Sequence, residues 1–114
     1  MVPAVITQKV DEKLGEKRDK LAELKDAVNS ETSLKLKILH KANQVKLNPN
    51  IVKEKYELSK APTEKQIQAY IDETYSDLTD EYEIAKQNTM LIKKELEFID
   101  DVLSVNKIIL RSME

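Results

Sequence analysis

Apolar residues recur at alternating spacings of four and three through the last third of the chain: Leu78, Tyr82, Ala85, Thr89, Ile92, Leu96, Ile99, Leu103, Asn106, Leu110 and Met113. A heptad seam held for about five repeats without a slip predicts one long helix lying against a helical partner. At roughly 1.5 Å per residue it makes a rod of about 54 Å. A small chain has use for such a rod only if a second long helix lies along it. A second stripe, Phe98, Val102, Val105 and Ile109, runs beside Ile99, Leu103 and Leu110, with Ile108 near its border. One helical partner covers one stripe, so the other is expected to face another subunit. The plainer alternative is that the N-terminal helix covers both. Asn106 either fixes register from a core position or sits in a splayed, wet helix end.

Upstream, Val10, Leu14, Leu21, Leu24 and Val28 share a helical face, with Lys17 in the remaining seam position and Gly15 inside the run. Asn29–Ser33 is a break or a polar turn of helix. Leu34, Ile38, Ala42 and Val45 then resume the period, with Leu39 beside them. Asn48-Pro49-Asn50 ends this segment, because proline disfavours helix in the residue before it. After the next break, at Lys60-Ala61-Pro62, Thr63 and Gln66 have the spacing of a capping box and start a new helix. Ile67, Tyr70 and Ile71 give that helix an apolar face, and a bend is expected at Thr74-Tyr75-Ser76. The predicted fold is all-α: a single helical domain over residues 1–114, built as a long antiparallel, coiled-coil-like hairpin. Its arm covers about 5–47, a short helical elbow about 48–62, and the return helices about 63–112.

Composition narrows this picture. Only 4% of residues are aromatic and none is tryptophan, so the core is made of Leu, Ile and Val, while 35% charge with one glycine suits solvated helices. The absence of cysteine rules out disulfides and thiolate metal sites and fits a reducing, cytoplasmic setting. No run reaches the roughly 18 apolar residues of a membrane span. The apolar start, Met1 to Ile6, has no basic stretch before it and does not read as a signal peptide.

Charge is the least evenly placed property. Residues 34–70 hold eight lysines against three acids, whereas residues 71–114 hold five bases against eleven acids. A basic middle and an acidic end serve either a polyanion site or self-assembly in which acid meets base. His40 is the sole histidine, so no His-based triad or metal cluster forms within one chain. The acid pairs Asp11-Glu12, Asp72-Glu73, Asp80-Glu81 and Asp100-Asp101 read as solvated helix faces, since a catalytic carboxylate needs a pocket to tune it. Gly15 stands alone and makes no phosphate loop. The expectation is a non-enzyme without cofactor or metal.

The candidate nucleic-acid-binding residues are Lys35, Lys37, Lys41, Lys46, Lys53, Lys55, Tyr56 and Lys60. Lysines neutralise phosphates and release counterions, and an aromatic among them can stack on an unpaired base, which favours single strands. The candidate oligomer interface is Ile92, Leu96, Phe98, Ile99, Val102, Leu103, Val105, Asn106, Ile109 and Leu110.

The stretch from Ser33 onward resembles a family of small phage-encoded proteins, the recombination mediators of the UvsY type. Three segments carry the resemblance: Leu34-Lys35-Leu36-Lys37-Ile38-Leu39, Pro62-Thr63-Glu64-Lys65-Gln66-Ile67-Gln68-Ala69-Tyr70-Ile71, and Glu81-Tyr82-Glu83-Ile84-Ala85 leading into the apolar end. The resemblance implies a helical protein that assembles into rings, binds single-stranded DNA and loads a RecA-like recombinase in the host cytoplasm. It places the DNA-contacting helix on Lys35, Lys37 and Lys41 and the assembly surface on the C-terminal helix. Two other classes stay open. One is a phage structural or scaffold-like coiled-coil protein, in which the basic middle of one subunit pairs with the acidic half of another. The other is a small adaptor that docks a protein partner on its apolar C-terminal helix.

Overall fold

A proline at the first helical position loses nothing, since its missing N–H has no intrahelical partner there and its fixed φ already suits the helix. The computed structural model of the chain, which describes residues 3–113, puts Pro3 at that position in α1 (Pro3–Leu47). Met1 and Val2, from the apolar start, and Glu114 lie outside the described residues. Three further helices follow: α2 (Asn50–Lys55), α3 (Glu64–Thr74) and α4 (Ser76–Ser112). Among the described residues there is no strand, and the fold is all-α. The expected single domain is organised as two units, Met1–Asn29 with Gln87–Glu114, and Ser30–Lys86.

In the first unit, α1 and α4 run antiparallel. Lys17 pairs with Asp100 at 2.7 Å and Lys20 pairs with Glu95, while Leu24 and Ala27 pack on Ile92 and Leu96. The α4 seam is as the spacing predicts up to Leu110: Thr89, Ile92, Leu96, Ile99 and Leu103 are buried and Asn106 and Leu110 half-buried, whereas Met113, the last expected seam position, is exposed beyond the helix end. The α1 seam differs from expectation. Its inward positions are Ile6, Val10, Lys13, Lys17, Lys20, Leu24 and Ala27, whereas Leu14, Leu21 and Val28 are exposed. Two rows, each with four–three spacing, share Val10, Lys17 and Leu24, so the pattern alone does not choose between them. The row with more lysine faces α4 because a lysine stem covers apolar surface while its ammonium reaches a carboxylate at the edge. Lys13 reaches Glu16 at 2.9 Å, and Lys20 reaches both Glu23 and Glu95. The Glu95 carboxylate oxygen is shielded from solvent and has Lys20 as its charge partner. Glu95 first, then Glu23, holds the Lys20 ammonium above the ordinary lysine range.

In the second unit, α1 continues through Asn29–Ser33 without a break. Its inward residues are Glu31, Leu34, Ile38, Ala42 and Val45. The spacing three, four, four, three contains one stutter, which locally unwinds a heptad supercoil. Asn48 ends the helix by donating to Gln44 O and Val45 O, and Pro49 prevents continuation. The elbow is itself helical. Val52 of α2 is fully buried and forms the core of this unit with Val45 and Ile71; Ala42, Tyr56, Ile67, Tyr70 and Tyr75 pack around them. Burying each of these aliphatic side chains stabilises the unit by about 1.5–3 kcal/mol.

Helix α2 closes with Leu58 N–H donating to Lys53 O at 3.0 Å and Glu57 N–H to Glu54 O at 3.3 Å. This is a Schellman closure in which Glu57, at φ 53°, occupies the left-handed position that usually takes glycine. The Thr63–Gln66 capping box forms as its spacing predicts. Gln66 Oε1 accepts from Thr63 N–H at 2.8 Å, and Thr63 Oγ1 accepts from Gln66 N–H. The expected bend is one residue, Tyr75 (φ −110°, ψ 26°), between α3 and α4.

Candidate nucleic-acid interface

A helix packed on one side leaves the rest of its circumference to solvent, and the sequence decides what appears there. On α1 of the second unit, Leu34, Ile38, Ala42 and Val45 face inward. At 100° per residue, Lys35 and Lys46 fall on one edge of the outer face, Lys37 and Lys41 on the other, and His40 between them. The lysines therefore form two edges rather than one stripe. Lys35, Lys37, Lys41, Lys46, Lys55 and Lys60 are exposed, and Lys53 is half-buried. None of these seven makes an ion pair among the described residues, in contrast to Lys13, Lys17 and Lys20 of the first unit. Lys46 also borders an open groove with Glu64, Lys65, Ile67 and Gln68. His40 Nε2 lies 3.2 Å from Gln44 Nε2 on the exposed face.

Tyr56 is placed differently from its lysine neighbours. Its ring packs in the Val45–Val52–Ile71 cluster, edge-on to Tyr70 at 6.3 Å between centroids, and its hydroxyl donates to Glu73 Oε2 at 3.3 Å. Burial, and then the Glu73 carboxylate, push its phenol above the ordinary tyrosine range. A ring held in this way does not offer a free stacking face. The sequence shows Tyr56 between Lys55 and Lys60. Its partners Tyr70 and Glu73 lie a whole helix away, and only the packing brings them together.

Two exposed features stand out, and one includes Leu39, which the spacing sets beside the inward row but the structure leaves exposed. Between the lysine edges of α1 lie Leu36, 60% exposed, and Leu39, 50% exposed, with Leu47 further along the same outer face. On α4, Ile84 is 67% exposed, one turn beyond Asp80 and Glu81 and two turns beyond Asp77. The available signal was their position off the seam: a leucine at i and i+3 outside the inward row has no partner within its own hairpin. Asp72, Glu73, Asp77, Asp80, Glu81 and Glu83 are all exposed, so this unit has a strongly acidic segment as well as a basic one.

The candidate interface residues of α4 divide by depth. Ile92, Leu96, Ile99 and Leu103 are buried within the first unit, and Val102, Asn106, Ile109 and Leu110 are half-buried. Phe98, 64% exposed, and Val105 remain on the surface, with Ile108 beside them. Phe98 borders a shallow groove with Lys13, Glu16, Lys20, Lys94 and Glu95. Among the described residues, no group of three His, Asp or Glu side chains is placed to hold a metal ion. Nor is any helix long and apolar enough to cross a membrane. No family model matches this chain, and no curated protein or solved structure matches it.

Proposed function

We propose that this chain is a non-catalytic, self-associating helical protein that holds single-stranded DNA on the lysine edges of its second unit. The observation that carries the proposal is the set of seven lysines without an ion-pair partner, gathered in one unit between Ser30 and Lys86. Unneutralised ammonium groups at helix spacing exchange their counterions for backbone phosphates, giving affinity that does not depend on sequence and falls with salt. The resemblance to the UvsY-type mediators supplies the biological role, assistance in loading a RecA-like recombinase. Self-association is assigned to the part of the C-terminal stripe that the hairpin leaves open, centred on Phe98 and Val105.

The test is fluorescence anisotropy of a labelled poly-dT oligonucleotide, titrated at low and at physiological salt, with a duplex of equal length as control. Binding that prefers the single strand and weakens with salt is expected. Lys35→Glu/Lys37→Glu/Lys41→Glu is expected to lower the affinity at least tenfold while the helical circular dichroism is unchanged. No binding at low salt rejects the proposal. A structural or assembly role is the second reading, favoured by the lysine-framed leucines. In that case the same triple reversal breaks the oligomer, and the wild-type chain shows no DNA binding to lose.

A further inference from the structure

The second unit carries two exposed apolar features framed by opposite charge. On α1, Leu36 and Leu39 lie between Lys35 and Lys46 on one edge and Lys37 and Lys41 on the other. On α4, Ile84 projects beside Asp77, Asp80 and Glu81. A lone exposed aliphatic side chain is ordinary, but one framed by like charge repels a face of its own kind and attracts one of opposite charge. We propose that the lysine-framed leucine face of one copy docks on the acid-framed Ile84 face of a second copy, and that single-stranded DNA competes for the same lysines.

Charge complementarity selects the occupant. The acids at 77, 80 and 81 supply carboxylates to the lysine edges, and Ile84 supplies the apolar centre that a nucleic acid phosphate lacks. A contact between two different faces either repeats from copy to copy or is made twice, reciprocally, in a two-fold pair. This contact is separate from the Phe98–Val105 surface. Only the competition rests on the DNA-binding reading; the docking itself does not.

Sedimentation velocity at low and high salt tests the docking. Association of the wild-type chain is expected to weaken as salt rises. Leu36→Ser/Leu39→Ser and Ile84→Ser, all at exposed positions, are each expected to sediment as smaller species with unchanged circular dichroism. Lys37→Glu/Lys41→Glu and Asp80→Lys/Glu81→Lys are each expected to lose the contact alone and to regain it when mixed in equal amounts. If the mixture does not associate, or the leucine and Ile84 variants sediment like the wild type, the docking proposal is wrong. Poly-dT anisotropy on Ile84→Ser, which leaves the charge unchanged, separates the two ideas. Tighter binding than wild type supports competition, and equal binding overturns it. Absence of DNA binding in both proteins, with trans rescue intact, rejects the DNA reading and leaves the docking standing.

Discussion

At Gly15 an added methyl group meets no side chain and nothing beyond its own turn of helix within 4 Å, and the backbone there is ordinary α-helix inside α1. Nothing in the fold requires glycine, and a helix-interior glycine costs about 1 kcal/mol relative to alanine. Gly15→Ala is therefore expected to raise stability by about that much, read as a higher denaturant midpoint at unchanged slope. Tyr56 gives a residue-scale prediction about pH. Its phenol is held above the ordinary range by burial and by Glu73. An unfolded tyrosine ionises near ~10, so the stability linked to Tyr56 is complete below that pH and is lost as pH rises through the folded value. Lys20 acts in the same direction. Its ammonium is favoured by Glu95 and Glu23, and that contribution is present below the unfolded lysine value and lost above the folded one. An alkaline titration of tyrosine absorbance should contain a component above the ordinary range that disappears in Tyr56→Phe. An identical titration curve for the variant would contradict the placement of its hydroxyl against Glu73.

At the scale of elements, what was legible in the sequence depended on whether a local rule had one solution. The α4 seam and the Thr63–Gln66 cap each had one, and both are found as spaced. The α1 register had two, because Val10, Lys17 and Leu24 belong to both rows. The structure takes the row in which Lys13 and Lys20 lie inward, where a lysine stem can cover apolar surface, and Leu14 and Leu21 face out. The site was legible in part. The α1 lysines are exposed because they lie off the inward row that the spacing predicts, whereas the fate of Tyr56 was set by contacts with α3 that no local rule contains. The end of α2 provides an element-scale prediction. Glu57 holds the left-handed position of the closure at φ 53°, a conformation that costs a side-chain-bearing residue roughly 1–2 kcal/mol. Glycine gives back part of this in chain entropy. Glu57→Gly is expected to stabilise the second unit by about 0.5–1 kcal/mol, and a lower denaturant midpoint would show that the Glu57 side chain makes a larger contribution of its own.

At the scale of the whole chain, the charge division has a different weight in each unit. In the first, the seam lysines Lys13, Lys17 and Lys20 are paired; in the second, the basic and acidic segments carry no ion pair among the described residues. Surface ion pairs of the first kind contribute little stability, with a median of about 0–1 kcal/mol. Unpaired charge of the second kind contributes recognition and association rate. The proposed DNA contact and the proposed contact between copies both draw on it, which is why salt is the variable that exposes either.

The clustering of rings in the second unit also makes it optically separable. All four tyrosines (Tyr56, Tyr70, Tyr75 and Tyr82) fall between Ser30 and Lys86, and the chain contains no tryptophan. Tyrosine emission therefore originates in that unit alone, while far-ultraviolet circular dichroism reports the helices of both. The natural chain is thus labelled on one side without any engineering. Following both signals through a single denaturation shows whether the two units melt together or one after the other.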